Sequence, residues 1–299
     1  MPFRFLRPLG RPAIMGAAAT MWVAVPGALA GQDFWLVPNA FAVELGRSVV
    51  VRGQASQFPG NDAALRPEQL AEASVLVADG SQALRDIAIH GTSLRLAFRP
   101  SNAGQVLITA VSRPIVITGS AESVVSQLRA EGGPDLPERF RVGGRTSTDS
   151  VTLHYVRYAK TLVEVGSGGP RVFDRAVGQP LELIPMRDPG ALRSGDTIVV
   201  QVLLGGQPFA DARVEAAAAP LDATAGGEEP ETRRAEMAVT TGADGVARFP
   251  DPGTGLWIVR TTSALPPDGG RGPQWDVYSA SLVLQVGPPV AGEPPGRAP

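Results

Sequence analysis

Few residues in this sequence could do chemistry. There are two histidines, His90 and His154. Imidazole can serve as a metal ligand or a proton carrier, but it needs partners at fitting positions. His90 ends an apolar run beside Gly91, with Asp86 four residues earlier. His154 sits in VTLHYVRYAKTLVEV, near Tyr155, Tyr158 and Lys160. The two are far apart in sequence, and neither has carboxylates at ligand spacing. This pattern predicts surface histidines or satisfied core histidines. As metal candidates only His154 and Asp33 stand out. There is no Gly-x-Ser-x-Gly elbow for a hydrolase nucleophile. Gly242-Ala243-Asp244-Gly245 lacks the spaced acids of a calcium loop, so it reads as a hairpin turn. Gly166-Ser167-Gly168-Gly169 lacks the Lys and Ser/Thr of a phosphate loop, so it reads as linker. No catalytic constellation emerges, and the chain is expected not to be an enzyme.

Tyr155, Arg157, Tyr158 and Lys160 interleave aromatics with cations. Two readings are open. The segment packs between domains with Arg157 and Lys160 solvated, or it forms a ligand or partner surface with Trp35, near a junction where pockets often form. Lys160 is the only lysine of the chain, beside abundant arginine. A composition bias accounts for that.

The elements that must position these residues are short strands. The chain has 299 residues, 43% of them apolar, enough for two domains with real cores. Gly 35 and Pro 28 suit many strands joined by turns. The formal net charge of −2 argues against a nucleic-acid footprint. With no cysteine, disulfides and thiolate sites are excluded.

Residues 1–30 read as a secretory signal peptide. Arg4, Arg7 and Arg11 precede an apolar run from Ala13 to Val25, and Ala28-Leu29-Ala30 is an A-x-A site. Cleavage between Ala30 and Gly31, or one residue later, would release an exported, periplasmic chain. Membrane contact is expected only through that signal, kept as an anchor if uncut.

The expected fold is all-β: two antiparallel Ig-like or prealbumin-like β-sandwich domains, 32–168 and 178–287, with one short helix. In the second, Ala210, Ala212, Val214 and Ala216 alternate with Asp211, Arg213 and Glu215, the period of a half-buried strand. Strands are predicted at 48–54, 73–77, 85–90, 93–98, 105–111, 181–184, 196–204, 246–249, 256–259 and 274–286, with Phe34-Trp35-Leu36 opening the first sandwich. Ser120 as cap, Ala121, Val124, Val125 and Leu128 as stripe, and Gly132-Gly133 as stop predict a helix over 121–131. VTLHYVRYAKTLVEV reads as helix first and strand later, Gly166 to Gly178 as linker, and residues 288–299 as a disordered tail.

These segments carry a resemblance. DFWLVPNAF, HYVRYAKTLVEVG, GQPLELIPMRDPGALRSGDTIVVQVLLGGQPFADARV and TTGADGVARFPDPGTGLWIVRTT, with WDVYSASLVLQV, resemble a bacterial periplasmic family of unknown function (domain of unknown function 4198). Its members are often labelled periplasmic components of cobalt or nickel uptake. The resemblance implies a binding or accessory protein, nickel or cobalt as its ligand, and a metal-uptake permease or other envelope protein as its partner. The chain departs from the family where ligands would be sought. Gln32 stands where members carry histidine, and Thr261-Thr262-Ser263 stands where they carry a His-Met pair. Amide and hydroxyl are poor ligands for these ions. The resemblance therefore implies degenerate metal ligands, and leaves a structural or adhesion-type module binding an envelope protein or glycan as the alternative. The second half also looks like the prealbumin-like domains that accompany secreted peptidases and transporters.

Overall fold

A computed structural model describes residues 33–56, 66–91, 93–132, 150–219, 235–265 and 274–287. The signal segment with its cleavage site at Ala30 and Gly31, Gln32, the polar stretch 133–149 and the tail 288–299 lie outside the described residues.

The first half holds β1 (Asp33–Pro38), β2 (Ala42–Val43), β3 (Val49–Ser56), β4 (Leu70–Val77), β5 (Gly80–Ala83), β6 (Asp86–His90), β7 (Ser93–Phe98), β8 (Gly104–Ser112) and β9 (Ile115–Ser120). Helix α1 (Ala121–Gly132) and the long β10 (Ser150–Val165) follow. After an irregular crossing come β11 (Leu181–Pro185), β12 (Thr197–Leu204), β13 (Gln207–Pro208), β14 (Arg213–Ala219), β15 (Ala235–Thr240), β16 (Val246–Pro250), β17 (Gly255–Leu265) and β18 (Gln274–Val286). The expected all-β fold with one short helix is what forms. Ser120 Oγ accepts from Ser123 N at 3.2 Å, and Ala121, Val124 and Leu128 turn inward, as the capping and stripe pattern predicts.

One sheet runs through both halves. Its order is β15-β14-β17-β18-β10-β8-β4-β5, with β2 and β9 also paired to β10. The join is the pairing of β10 with β18, which is parallel from Thr152↔Gln274 to Thr161↔Val283. This departs from the expectation of purely antiparallel sheets. A parallel pair needs a long crossover between its strands, and here the whole second half supplies it.

Two smaller sheets cover opposite faces of the large one. The sheet β1-β3-β7-β6 packs Leu36, Val51, Leu94 and Leu96 against Val75, Ile108, Ala159 and Val163. The sheet of β11, β12, β13 and β16 packs Leu181, Leu183, Val200 and Phe249 against Tyr158, Leu162, Val214, Trp257 and Leu282. Strand β10 contributes to both cores, its odd residues to one and its even residues to the other, so residues 157–163 are buried without interruption. Period-two alternation is lost because both faces are covered. The expected helical start of this segment does not form: its β-branched and aromatic residues pair with β9 on one edge and β18 on the other.

Strand β1 is likewise buried on both faces. Phe34 and Leu36 face the first core, while Trp35 and Val37 pack on Ala217, Ile258 and Val283 of the second half. Ser281 Oγ donates to the Phe34 carbonyl.

Candidate functional site

Strand geometry decides where the sequence-predicted residues go. Because side chains alternate along β10, Tyr155 and Arg157 point to the face covered by α1 and the first small sheet. Tyr158 and Lys160 point to the opposite face. The structure therefore does not bring the four together. Nor does it display them: Trp35, Tyr155, Arg157, Tyr158 and Lys160 are all buried. The expectation that Arg157 and Lys160 are solvated fails, because each is only 2% exposed. The sequence placed them by charge, whereas both faces of β10 are roofed here. The Arg157 guanidinium lies 5.1 Å from the Tyr155 ring centroid, within cation–π range.

Lys160 finds its counter-charge across the second core. Its Nζ donates to Glu182 Oε1, and Leu183 O lies 3.4 Å from it. Glu182, in β11, is 1% exposed. Its carboxylate also accepts from Val177 N at 2.6 Å and Gly178 N at 3.0 Å. Burial pushes the Lys160 ammonium below its ordinary pKa, with attraction to Glu182 opposing it. Glu182 could have been suspected from sequence, since an acid inside LELIP needs a partner if that run is buried.

A second polar cluster lies where β8, β10 and the crossing segment meet. Gln105 Nε2 donates to Glu164 Oε1 at 2.8 Å and to Asp188 Oδ1 at 3.1 Å, and its Oε1 accepts from Val172 N at 3.1 Å. Arg171 pairs with Glu164 and places its Nε 3.3 Å from Asp188 Oδ2. A hollow of about 50 Å³ adjoins the cluster, between Phe41, Leu162, Pro189 and Gln285. Arg171 bridges both carboxylates and, with Gln105, clasps the three segments together.

The histidines remain apart. His90 is exposed at the end of β6. His154 is half-exposed on β10, its Nδ1 3.7 Å from Asp276 Oδ1 on β18. Nearby, the Tyr158 and Tyr278 rings stand 6.1 Å apart. Burial, then the charges of Tyr278 and Asp276, push the Tyr158 phenol up to about 12; burial and Asp276 also raise that of Tyr278.

A nickel or cobalt ion does not fit these donors. One imidazole and one carboxylate fall short of a coordination shell. Among the described residues no group of three or more His, Asp or Glu could hold a metal. Asp33 begins β1, opposite Ser56 of β3. Thr261 donates its hydroxyl to Arg213 O at 2.8 Å.

Comparison with known proteins adds the following. No curated protein matches the chain. Among solved structures, Salmonella alpha-2-macroglobulin reacted with methylamine is 14% identical with a TM-score of 0.22; the match covers 85% of this chain and 15% of that one. The chain thus spans a small part of that protein's length. A two-domain fibronectin type-III segment from chicken tenascin is 11% identical, with a TM-score of 0.21 and coverage of 85% and 98%. The Escherichia coli adhesin FdeC is 15% identical, with a TM-score of 0.22 and coverage of 89% and 67%. The profile of the domain of unknown function DUF4198 matches residues 29–264. That match takes in β1, the two-faced β10, the Lys160–Glu182 pair and most of the second sandwich, and the chain belongs to the DUF4198 family.

Proposed function

We propose that this chain is an exported, non-enzymatic binding or accessory protein of the periplasm, working beside a metal-uptake permease or another envelope protein. The observation that carries this reading is that a buried ion pair and a partly exposed charge cluster are both committed to contacts within the fold. Lys160 is held by Glu182, and Glu164 and Asp188 are bridged by Arg171. These contacts fasten distant segments of the fold to one another. Degenerate metal ligands fit the same reading: the protein would support uptake without itself chelating the ion.

A second reading, a structural or adhesion-type module that binds an envelope protein or glycan, is favoured by a different observation. The large sheet crosses from one half to the other through β10 and β18, which suits a stiff spacer. Pull-down separates the two: a metal-uptake permease favours the first and a glycan the second, while metal titration tests whether the chain chelates at all. A ligand present at ~100 times its Kd stabilises by roughly 2.7 kcal/mol. We expect nickel and cobalt to leave the melting temperature of the exported protein unchanged. Gln32→His should gain nickel affinity in calorimetric titration, through imidazole and nearby terminal or backbone nitrogen, and His154→Ala should change little. Tight nickel binding that disappears in His154→Ala would overturn the proposal.

A further inference from the structure

A second hollow lies away from the Lys160–Glu182 pair and shares Gln105 with the edge of the other polar cluster. It is bounded by the turn joining β4 to β5, the turn joining β7 to β8, and Pro170 of the crossing segment, and its volume is about 210 Å³. Its lining includes apolar groups: half-buried Val77 and Phe98 and exposed Pro170. Its rim is polar and exposed: Asp79, Gln82, Ser101 and Asn102. None of these four side chains is hydrogen-bonded to another described residue.

The walls are held in place. Gln105 N donates to Pro170 O at 2.9 Å, and Arg175 Nη1 donates to Ala78 O at 3.0 Å. The crossing segment is thus strapped to both turns. Gly104 adopts φ +136°, where a Cβ would stand 3.0 Å from Pro170. A side chain there would meet the strap, so glycine lets it close down.

Size, charge and hydrogen-bonding types narrow the ligand. Pockets for drug-sized molecules run to roughly 300–1,000 Å³, so this one suits a single ring. Among the described residues Asp79 is the only charged one lining it, which disfavours anions. Two amides, a hydroxyl and a carboxylate offer donors and acceptors side by side. Vicinal hydroxyls, each both donor and acceptor, match that rim, and the carbon-bound face of a sugar ring matches Phe98 and Pro170.

We propose that this hollow binds one neutral hexose ring, either free or as the terminal unit of an envelope glycan. The proposal rests on the binding-protein reading above and names the ligand class for it. Asp79 and Asn102 take the ring hydroxyls, and Phe98 takes the apolar face.

The test is saturation-transfer NMR on the exported protein with glucose, galactose, mannose and their methyl glycosides, with glucuronate and inorganic phosphate as charged controls. At least one neutral sugar should give a saturable signal, and the charged controls none. A hydrogen bond contributes roughly 0.5–1.5 kcal/mol net, so Asp79→Ala and Asn102→Ala should each weaken binding by about three- to tenfold. Both residues are exposed, so melting temperatures should hold, and a folded variant that loses the sugar is informative. Binding of methyl glycosides as tightly as free sugars points to a glycan terminus, and binding of free sugars alone points to a soluble hexose. No saturable neutral sugar, or binding that both variants retain, overturns the proposal. Recovery of an envelope partner by both variants together with wild-type protein would then leave the accessory reading standing, whereas loss of that partner as well would remove both.

Discussion

Replacing Lys160 with methionine tests the buried pair most directly. Methionine is similar in volume and flexible, so no large cavity should open. The change leaves the Glu182 carboxylate 1% exposed with only Val177 N and Gly178 N as donors. Removing one partner of a buried ion pair costs about 3–5 kcal/mol. Those two backbone donors place the expected loss near the lower end, at about 3 kcal/mol. Glu182→Gln keeps an acceptor oxygen but strands the amine, whose contact with Leu183 O is long at 3.4 Å. The double variant buries no charge, and it should be less damaged than the sum of the singles by about 2 kcal/mol. A pH series adds a signed prediction. The folded chain holds the Lys160 proton less readily than the unfolded chain, so stability rises with pH below the unfolded value of about 10.4. Without Glu182 the folded pKa falls further, so that rise begins at lower pH in Glu182→Gln, and its deficit shrinks as pH increases from neutrality. The assay is urea denaturation followed by tryptophan fluorescence, since Trp35, Trp257 and Trp275 report from three different clusters. If Lys160→Met stays within about 1 kcal/mol of wild type, the pair does not carry the burden assigned to it.

Because β10 and β18 join the halves in one sheet, fluorescence and far-ultraviolet dichroism should report a single coincident unfolding transition; two separated midpoints would show that the halves unfold independently. Gly169→Ala would place a Cβ 2.5 Å from Ala103 O at φ +91°, and a loss of at least about 1–3 kcal/mol is expected in denaturation midpoints; a silent substitution would mean the loop can move away. Two of the three tyrosines should ionise above the usual ~10 in an ultraviolet titration, Tyr158 near 12. The folded chain then retains protons that the unfolded chain has released, so stability should fall as pH rises from about 10 to 12; three ordinary tyrosines would refute this.

Much of the architecture is legible in the sequence because its signals are local. Alternation at Val214 and Ala216, the apolar run from Leu256 to Val259, and Ser120 before its stripe each declare an element within a few residues. What escapes is set by pairing between distant segments. Ile115 to Ser120 opens with four β-branched residues, a local strand signal left out of the expected strands, while its place beside β10 is set by nonlocal pairing. VTLHYVRYAKTLVEV mixes charges into an apolar run, which imitates a helix with one wet face. Only when sheets roof both sides do Arg157 and Lys160 become interior residues. The partners of the polar clusters are equally nonlocal: Gln105 meets Glu164, and Lys160 meets Glu182 across an irregular crossing. His90 lies exposed at the end of β6, and His154 lies beside Asp276 on the neighbouring strand.

The two-faced strand β1 has a consequence for how the molecule is made. It leaves the ribosome ahead of almost everything it touches. Its partner in the sheet, β3, follows soon, but Ala217, Ile258 and Val283 arrive near the end, and the Ser281 hydroxyl that meets Phe34 O is 247 positions away. Trp35 and Val37 cannot be enclosed until the last strand is present. Contacts so distant in sequence form slowly and leave apolar surface open in the meantime. The beginning of the chain is thus the last part to be sheltered. A chain truncated before β18 should expose Trp35, and would be a target for chaperones and proteases even with every residue of its first half in place.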